Sequence, residues 1–370
     1  MNEIDDLQRL LLTDTPLIDT RAPIEFARGS LPTAVNLPLM TDSEREQVGT
    51  CYQQHGQKAA IDLGHQLVQG DVKAERTAAW ADFAKTHPTG ALYCFRGGLR
   101  SAIAQQWLHE SGIEYPRVKG GYKSLRRWLI EYTDQTFASA TLLFVGGRTG
   151  AAKTRVLNEG NAGQPIPGSV DLEGLAHHRG SAFGRRTTEQ PTQISFEMGL
   201  GVALLKHKQR PHPYLILEDE GRLIGRCALP LSLQAARKTA DWIHLEAQLD
   251  DRVQHSYENY ILGNLAELQA DNAENAFEQF SASLLESLER IRKRLGTERY
   301  SNLKSAMTTA IIRHHQGDPE HHRVWIATLL TEYYDPMYDY QLSQRERAPI
   351  FHGDEQAVVE YLMEQQRRLQ

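Results

Sequence analysis

YCFRGGLRSA, residues 93–102, closes one apolar run and opens a helical pattern. The residues GALYC read as a buried strand. SAIAQQWLHESG reads as a helix, with Ser101 as its N-cap, Ile103, Trp107 and Leu108 on one face, and Gly112 past its end. Strand, glycine-bearing loop and helix in that order predict a parallel α/β sheet, where ligands gather beyond the carboxyl ends of strands. Cys94 stands at such an end. Backbone N–H groups of the loop can converge on an anion there, and the positive end of the helix favours both an anion and a thiolate. Gly97 and Gly98 permit the tight curl, while Arg96 and Arg100 supply charge and a planar fork for oxyanions.

Working outward, the same alternation continues on both sides. PLIDTR is a short strand ending in Asp19 and Arg21, DVKAERTAAWADFAKTH has helical character, PRVKGG reads as an edge strand and YKSLRRWLIEYTD as a helix. A second unit begins at ATLLFVGGRTGAAKTRVL, again strand, glycine-rich loop and helix. From about residue 240 the β-branched runs thin out and stretches such as NAFEQFSASLLESLERIRKRL predict a mostly helical tail. The expected division is 1–135, 136–262 and 263–370.

Composition narrows the class. The chain has 370 residues, 40% of them hydrophobic and 24% charged, enough for two or three soluble domains. No run is long enough to span a membrane, and MNEIDDLQRL has neither the basic flank nor the apolar core of a secretion signal, so the cytoplasm is the expected compartment. Cys51, Cys94 and Cys227 are far apart and form no C-x-x-C pair, so neither a zinc knuckle nor a disulfide framework is indicated. The net charge of −6 means that any nucleic-acid partner must meet a local basic patch.

Five residues separate Cys94 from Arg100, and Ser101 follows. This spacing resembles the loop of thiol-dependent phosphatases, one residue longer than the loop of rhodanese sulfurtransferases, and suits a phosphate-sized anion. Tyr93 stands where tyrosine phosphatases usually carry histidine, which counts against a phosphatase. LIDTRAPIEFARGSLPTAVNLPL resembles the opening of a rhodanese domain, in which Asp19 and Arg21 would brace the fold.

GGRTGAAKT follows the strand TLLFV and precedes a helix, the context of a phosphate-binding loop. Gly147, Thr149, Gly150, Lys153 and Thr154 would hold a diphosphate: amides along the loop, the Lys153 charge, and a Thr154 hydroxyl able to ligate Mg²⁺. Ala152 stands where the pattern has glycine. YLILEDE delivers Glu218, Asp219 and Glu220 to a strand end, where such proteins keep an acidic metal partner. Glu218 and Asp219 are the expected acids, and no metal is fixed by the sequence alone.

The two loops together carry a closer resemblance. The loop CFRGGLRS joined to a P-loop unit, with RAPIEFARGSLPTAVNLPLMTD, GTCYQQHGQKAAIDLGHQL, VKGGYKSLRRWL, DLEGLAHHRGSAFG and EDEGRLIG, resembles the tRNA 2-selenouridine synthase family from Pro16 to beyond Ile224. The resemblance implies a rhodanese-like domain, a P-loop domain and a helical region. It also implies an activity: sulfur of wobble 2-thiouridine in tRNA is replaced by selenium, with selenophosphate as donor, through an S-geranyl-2-thiouridine made from geranyl diphosphate. Cys94 would then be catalytic, with Arg96, Gly97, Gly98, Arg100 and Ser101 around selenophosphate, and a selenophosphate-supplying enzyme would be a partner. The rivals are a cysteine-dependent phosphatase or sulfurtransferase fused to a nucleotide-binding domain, and a noncatalytic RNA- or nucleotide-binding module.

Two basic stretches taken alone read as solvated helix faces, and the resemblance turns them into expected RNA contacts: RVKGGYKSLRR offers Lys123, Arg126 and Arg127, and RIRKRLGTERYSNLK offers Arg292 and Arg294. AHHRGSAFGRR puts Arg179, Arg185 and Arg186 near the phosphate site, where they would contact a substrate anion or tRNA. Gly64, inside the helical KAAIDLGHQLV, marks a kink, a helix end or the close approach of a substrate. His314, His315, His321 and His322 flank a turn and read as surface residues, and Cys51 and Cys227 as structural ones.

Overall fold

Two parallel sheets organise the chain, each built from strands of two to five residues. The structure, a computed structural model, describes residues 2–271 and 273–367. It divides into one unit of Met1–Gln135 with Thr192–Lys206 and another of Thr136–Pro191 with His207–Gln370.

In the first unit, β1 (Glu3–Ile4), β2 (Leu17–Asp19), β3 (Ala34–Asn36), β4 (Ala91–Tyr93) and β5 (Arg117–Val118) lie in the order β1-β5-β4-β2-β3, all parallel. β2 and β4 are buried on both faces, which is why they read as unbroken apolar runs. Leu10, Leu125 and Leu129 belong to the core on one side, and Trp80, Trp107 and Leu108 to a second cluster. The sequence predicts an edge strand at PRVKGG, but β1 pairs outside it: Glu3–Ile4 is a two-residue strand in an acidic stretch, with no periodicity to reveal it. The long helix Asp42–Leu67 starts at a Thr41–Glu44 capping box and breaks at Gly56, whose φ is +80°.

In the second unit, β6 (Leu142–Gly146), β7 (Ser169–Val170), β8 (Leu215–Glu218), β9 (Asp241–Leu245) and β10 (Phe351–Gly353) run parallel in the order β10-β9-β6-β8-β7. The tail differs from expectation here. β10 belongs to this sheet and the helix Glu355–Arg367 packs against it, Val358 and Leu362 sharing a core with Leu143 and Val145. The helices Ala276–Leu295, Thr297–His315 and His322–Leu329 share a core of Phe280, Leu284, Leu288 and Trp325 that also takes Phe183 and Val253, so residue 262 bounds no separate domain.

The segment Thr192–Lys206 is a second departure, since its position in sequence predicts the P-loop unit. Met198, Val202 and Leu205 instead pack with Leu125 and Leu129 in the first unit. The histidines give a third. His322 is fully buried, accepts a 2.9 Å hydrogen bond from Trp325 Nε1 and lies 3.2 Å from His314. No described helix is long and apolar enough to cross a membrane.

Candidate functional site

The cysteine loop grows out of β4. Cys94 is 3% exposed, and its thiol donates to Ser101 Oγ at 3.2 Å, while Ser101 donates to the Gly98 carbonyl at 3.0 Å. The helix Leu99–Glu110 takes Gly98 as N-cap, so Ser101 is not the cap but the third helical residue, turned back toward the sulfur. Among the described residues, no hydrogen bond satisfies the backbone amides of Phe95 to Gly98. They are free to meet an anion.

Glycines make this geometry possible. Gly97 has φ +63°, and a Cβ there would lie 2.7 Å from the Gly120 nitrogen. Gly121 has φ +58°, and its Cβ would lie 2.2 Å from the Cys94 carbonyl oxygen. Tyr122 and Lys123 donate backbone N–H groups at 2.9 Å to the carbonyls of Cys94 and Phe95. VKGGYK is therefore the floor on which the cysteine loop is laid. Lys123 acts through its backbone here. Arg126 pairs with Glu197 and Arg127 with Glu131, so neither guanidinium is unengaged.

The arginines of the loop diverge. Arg96 is exposed, its guanidinium 5.9 Å from the Phe95 ring. Arg100 commits its fork to Glu25, and Arg45 joins them. Burial alone would raise the Glu25 pKa, but the Arg100 hydrogen bond and the nearby positive charges hold it below the usual range. Asp19 and Arg21 form a buried pair at 2.6 Å, and Arg21 also donates to the Gly29 carbonyl and lies over Tyr122. Gly64 lies in the last turn of the helix Asp42–Leu67, where its carbonyl accepts the Val68 N–H at 3.0 Å, so the helix-end reading holds and the kink falls at Gly56 instead. Gly64 lines a cavity of about 800 Å³ together with Leu99, Arg100 and Trp107, and only Val48 stands near it.

The phosphate loop follows β6. Gly147, Thr149, Gly150, Lys153 and Thr154 all line one cavity of about 600 Å³. Gly150, at φ +84°, could carry no Cβ without meeting the Arg252 carbonyl at 2.9 Å. Arg252, itself buried, donates to the Thr149 carbonyl at 2.9 Å and pairs with Asp335. Ala152 adopts φ +63°, the left-handed conformation that suits glycine, so the curl is kept although the glycine is not. Lys153 Nζ turns back to the Gly147 carbonyl at 3.4 Å.

Three carboxylates meet beside this lysine: ligand oxygens of Glu173, Glu218 and Glu220 lie within 4.8 Å of one another. Burial disfavours the Lys153 charge, but Glu220, Glu173 and Glu218 outweigh it and raise its pKa. Burial first, and then Glu220, push Glu173 up to about 8; burial and the same acidic neighbours push Glu218 well above the carboxylate range. Both Glu218 oxygens are buried without a hydrogen-bond partner among the described residues, an arrangement that suits a divalent cation. Thr154 Oγ1 donates to Glu173 at 2.8 Å.

Asp219 does not join the cluster. Arg237 and Arg345 hold its two oxygens, and it lines the cavity wall instead. Glu173 escaped the sequence reading because DLEG follows a two-residue strand; its only signal was the placement of an acid just after β7. Arg179 is tied to Asn264 and Glu267, and Arg186 reaches the same glutamate at 3.7 Å. Arg185 and Arg294 are exposed at a neighbouring cavity, whereas Arg292 pairs with Glu289.

The chain is similar to known proteins over nearly all of its length. A family profile described as the tRNA 2-selenouridine synthase AAA domain matches residues 140–369. A protein of Hahella chejuensis named tRNA 2-selenouridine synthase is 53% identical over 361 residues, covering 97% of this chain and 94% of the relative. A namesake from Pseudomonas fluorescens is 50% identical over 364 residues, covering 98% of each. A third, from Marinobacter nauticus, is 49% identical over 97% of both chains.

Proposed function

The chain belongs to the tRNA 2-selenouridine synthase family, and on that premise we propose that it converts wobble 2-thiouridine of tRNA to 2-selenouridine in two steps. One observation carries the reading: a single chain holds a thiol-centred anion loop and a lysine-centred phosphate loop, each at the carboxyl end of a parallel strand.

The phosphate loop binds geranyl diphosphate. The thiocarbonyl sulfur attacks the first carbon of the geranyl group, the carbon–oxygen bond breaks, and diphosphate leaves while the base loses its N3 proton. Lys153 and the loop amides neutralise the leaving group, with no nucleotide hydrolysis required. A bound Mg²⁺ would add positive charge there, held by Thr154, Glu173, Glu218 and Glu220.

The cysteine loop, read as the active loop of a rhodanese-like unit, binds selenophosphate on the amides of Phe95 to Gly98, with Arg96 at the rim. Alkylation makes sulfur a better leaving group. Selenium of selenophosphate attacks C2, the C2–S bond breaks, and geranylthiolate leaves with a proton from the Cys94 thiol. Water then cleaves the Se–P bond to release phosphate and leave selenium on C2. A selenophosphate-supplying enzyme provides the donor.

Incubation with thiolated tRNA, geranyl diphosphate and selenophosphate, followed by nucleoside mass spectrometry, tests the reading. Cys94→Ala should accumulate geranylated tRNA, and Lys153→Ala should stop geranylation. Unchanged selenation by the first variant, or normal geranyl transfer by the second, rejects the corresponding role. Release of phosphate from aryl phosphates without any change to tRNA would mark a phosphatase instead.

A further inference from the structure

A cavity of about 1280 Å³ lies in the second unit next to the phosphate-loop pocket. Gly180, Ser181, Arg186, Tyr334, Met337 and Gln341 form a wall common to both. The lining of the larger one carries nine arginines and a lysine against two glutamates, in a chain whose net charge is −6. Positive charge is concentrated here.

Much of that charge is unanswered. Arg237 and Arg345 share the single carboxylate of Asp219. Arg185, Lys238 and Arg294 are exposed and form no ion pair among the described residues. Among the described residues Arg290 donates only to the Ala182 carbonyl and the Ser287 hydroxyl, and burial together with the Arg185 charge lowers its pKa. Arginines crowded this way await a polyanion.

The same lining is aromatic. Tyr340 is 67% exposed, and Arg345 lies 4.2 Å above the Trp242 ring. A positively charged groove with exposed stacking platforms suits single-stranded nucleic acid, whose bases stack on side chains while its phosphates track the charge. An acidic protein would satisfy the charge but leave Tyr340 without a planar partner.

We propose that this cleft docks an unpaired RNA loop: phosphates meet Arg185, Lys238, Arg290 and Arg294, a base stacks on Tyr340, and the target uridine turns over the common wall into the phosphate-loop pocket. The inference rests on the tRNA substrate proposed above. An unpaired loop is required because C2 chemistry on a base needs that base out of the helical stack.

The test is fluorescence anisotropy on the full chain with a labelled RNA stem-loop, its fully paired duplex, and a polyglutamate competitor. The double variant Arg185→Glu/Arg294→Glu should bind the stem-loop about tenfold or more weakly at about 0.1 M salt, with a shallower salt slope. Tyr340→Ala should weaken the stem-loop by about fivefold or more while leaving the duplex unchanged. Lys58→Glu/Lys85→Glu, two exposed residues of the first unit, should stay within about a factor of two of wild type. All three changed residues of the cleft are exposed, so their substitution leaves the core intact. Undiminished binding by the cleft variants, or an equal loss in the first-unit variant, overturns the proposal. So does polyglutamate competing as well as RNA at equal charge, which assigns the cleft to an acidic protein. Nucleoside analysis separates the two readings. RNA bound through these residues with no nucleoside altered rejects the chemistry and keeps the cleft; selenation with undiminished affinity in the double variant does the reverse.

Discussion

Thr154 Oγ1 and Glu173 Oε2 lie 2.8 Å apart, joining the phosphate loop to an acid from the short helix after β7. The hydroxyl donates to a carboxylate that burial and Glu220 have pushed up to about 8. A cation entering this cluster must displace the protons those acids hold. Mg²⁺ binding should therefore release protons near pH 7 and tighten as pH rises toward 8. Calorimetry in buffers of different ionisation enthalpy measures the release. Glu173→Gln should lower the count by the proton Glu173 gives up and leave what Glu218 releases, and an unchanged proton count in that variant would exclude Glu173 from the site.

The same raised pKa has a stability consequence. Glu173 is held protonated in the folded chain, so its contribution is present below the unfolded value near 4.5 and lost as pH rises through about 8. Relative to Glu173→Gln, the metal-free wild type should lose thermal stability between pH 5 and 8, and Mg²⁺ should restore more of it at the upper end. Parallel melting curves for the two proteins across that window would contradict the assignment.

Ala152 is the residue at which the phosphate loop departs from the glycine pattern, and its backbone is left-handed. Ala152→Gly should be close to neutral, because relief of strain offsets the greater entropy of the unfolded chain, each about 1 kcal/mol. Ala152→Val should cost more than about 1 kcal/mol and weaken diphosphate binding. Chemical denaturation of the two variants checks the contrast.

Gly121 carries the cysteine loop from below. A Cβ 2.2 Å from the Cys94 carbonyl must push the loop away, so Gly121→Ala should impair selenium transfer at least tenfold (about 1.4 kcal/mol or more) while the phosphate loop retains its ligand. Separate assays of diphosphate binding and selenation distinguish this from general unfolding.

Asp19 and Arg21 are both buried, and their contact is the brace of the first sheet. Asp19→Asn leaves a buried guanidinium without its counter-charge and should destabilise the first unit by about 3–5 kcal/mol. Urea unfolding followed by tryptophan fluorescence measures it; a loss below about 1 kcal/mol would show that the pair is dispensable.

His322 supplies an acid-side prediction. Burial, with His314 and His321 nearby, lowers its pKa to about 4. A histidine buried neutral stabilises the fold above its unfolded pKa of about 6.5, and that contribution is lost as pH falls through 4. His322→Asn keeps an acceptor for Trp325 and should flatten the pH dependence of melting between 6.5 and 4.

The sequence by itself determined the two strand–loop–helix units, because the loop chemistry is local: apolar runs end in Cys94 and Gly147, and the glycines and basic residues that follow lie within a few positions. It also marked Asp19, Arg21, Lys153 and Thr154 through their neighbours in the chain. Only the tertiary structure decided which carboxylates face Lys153, since Glu173 and Glu218 meet across β7 and β8 from positions far apart in sequence. It alone separated Asp219 from that cluster by setting Arg237 and Arg345 on it. It also took the helix at Thr192–Lys206 out of its sequence neighbourhood and set it in the first unit, and brought β10 from the tail into the second sheet. Parallel pairing and apolar burial are satisfied between residues remote in the chain, and a periodicity shows which face is apolar without showing what will cover it.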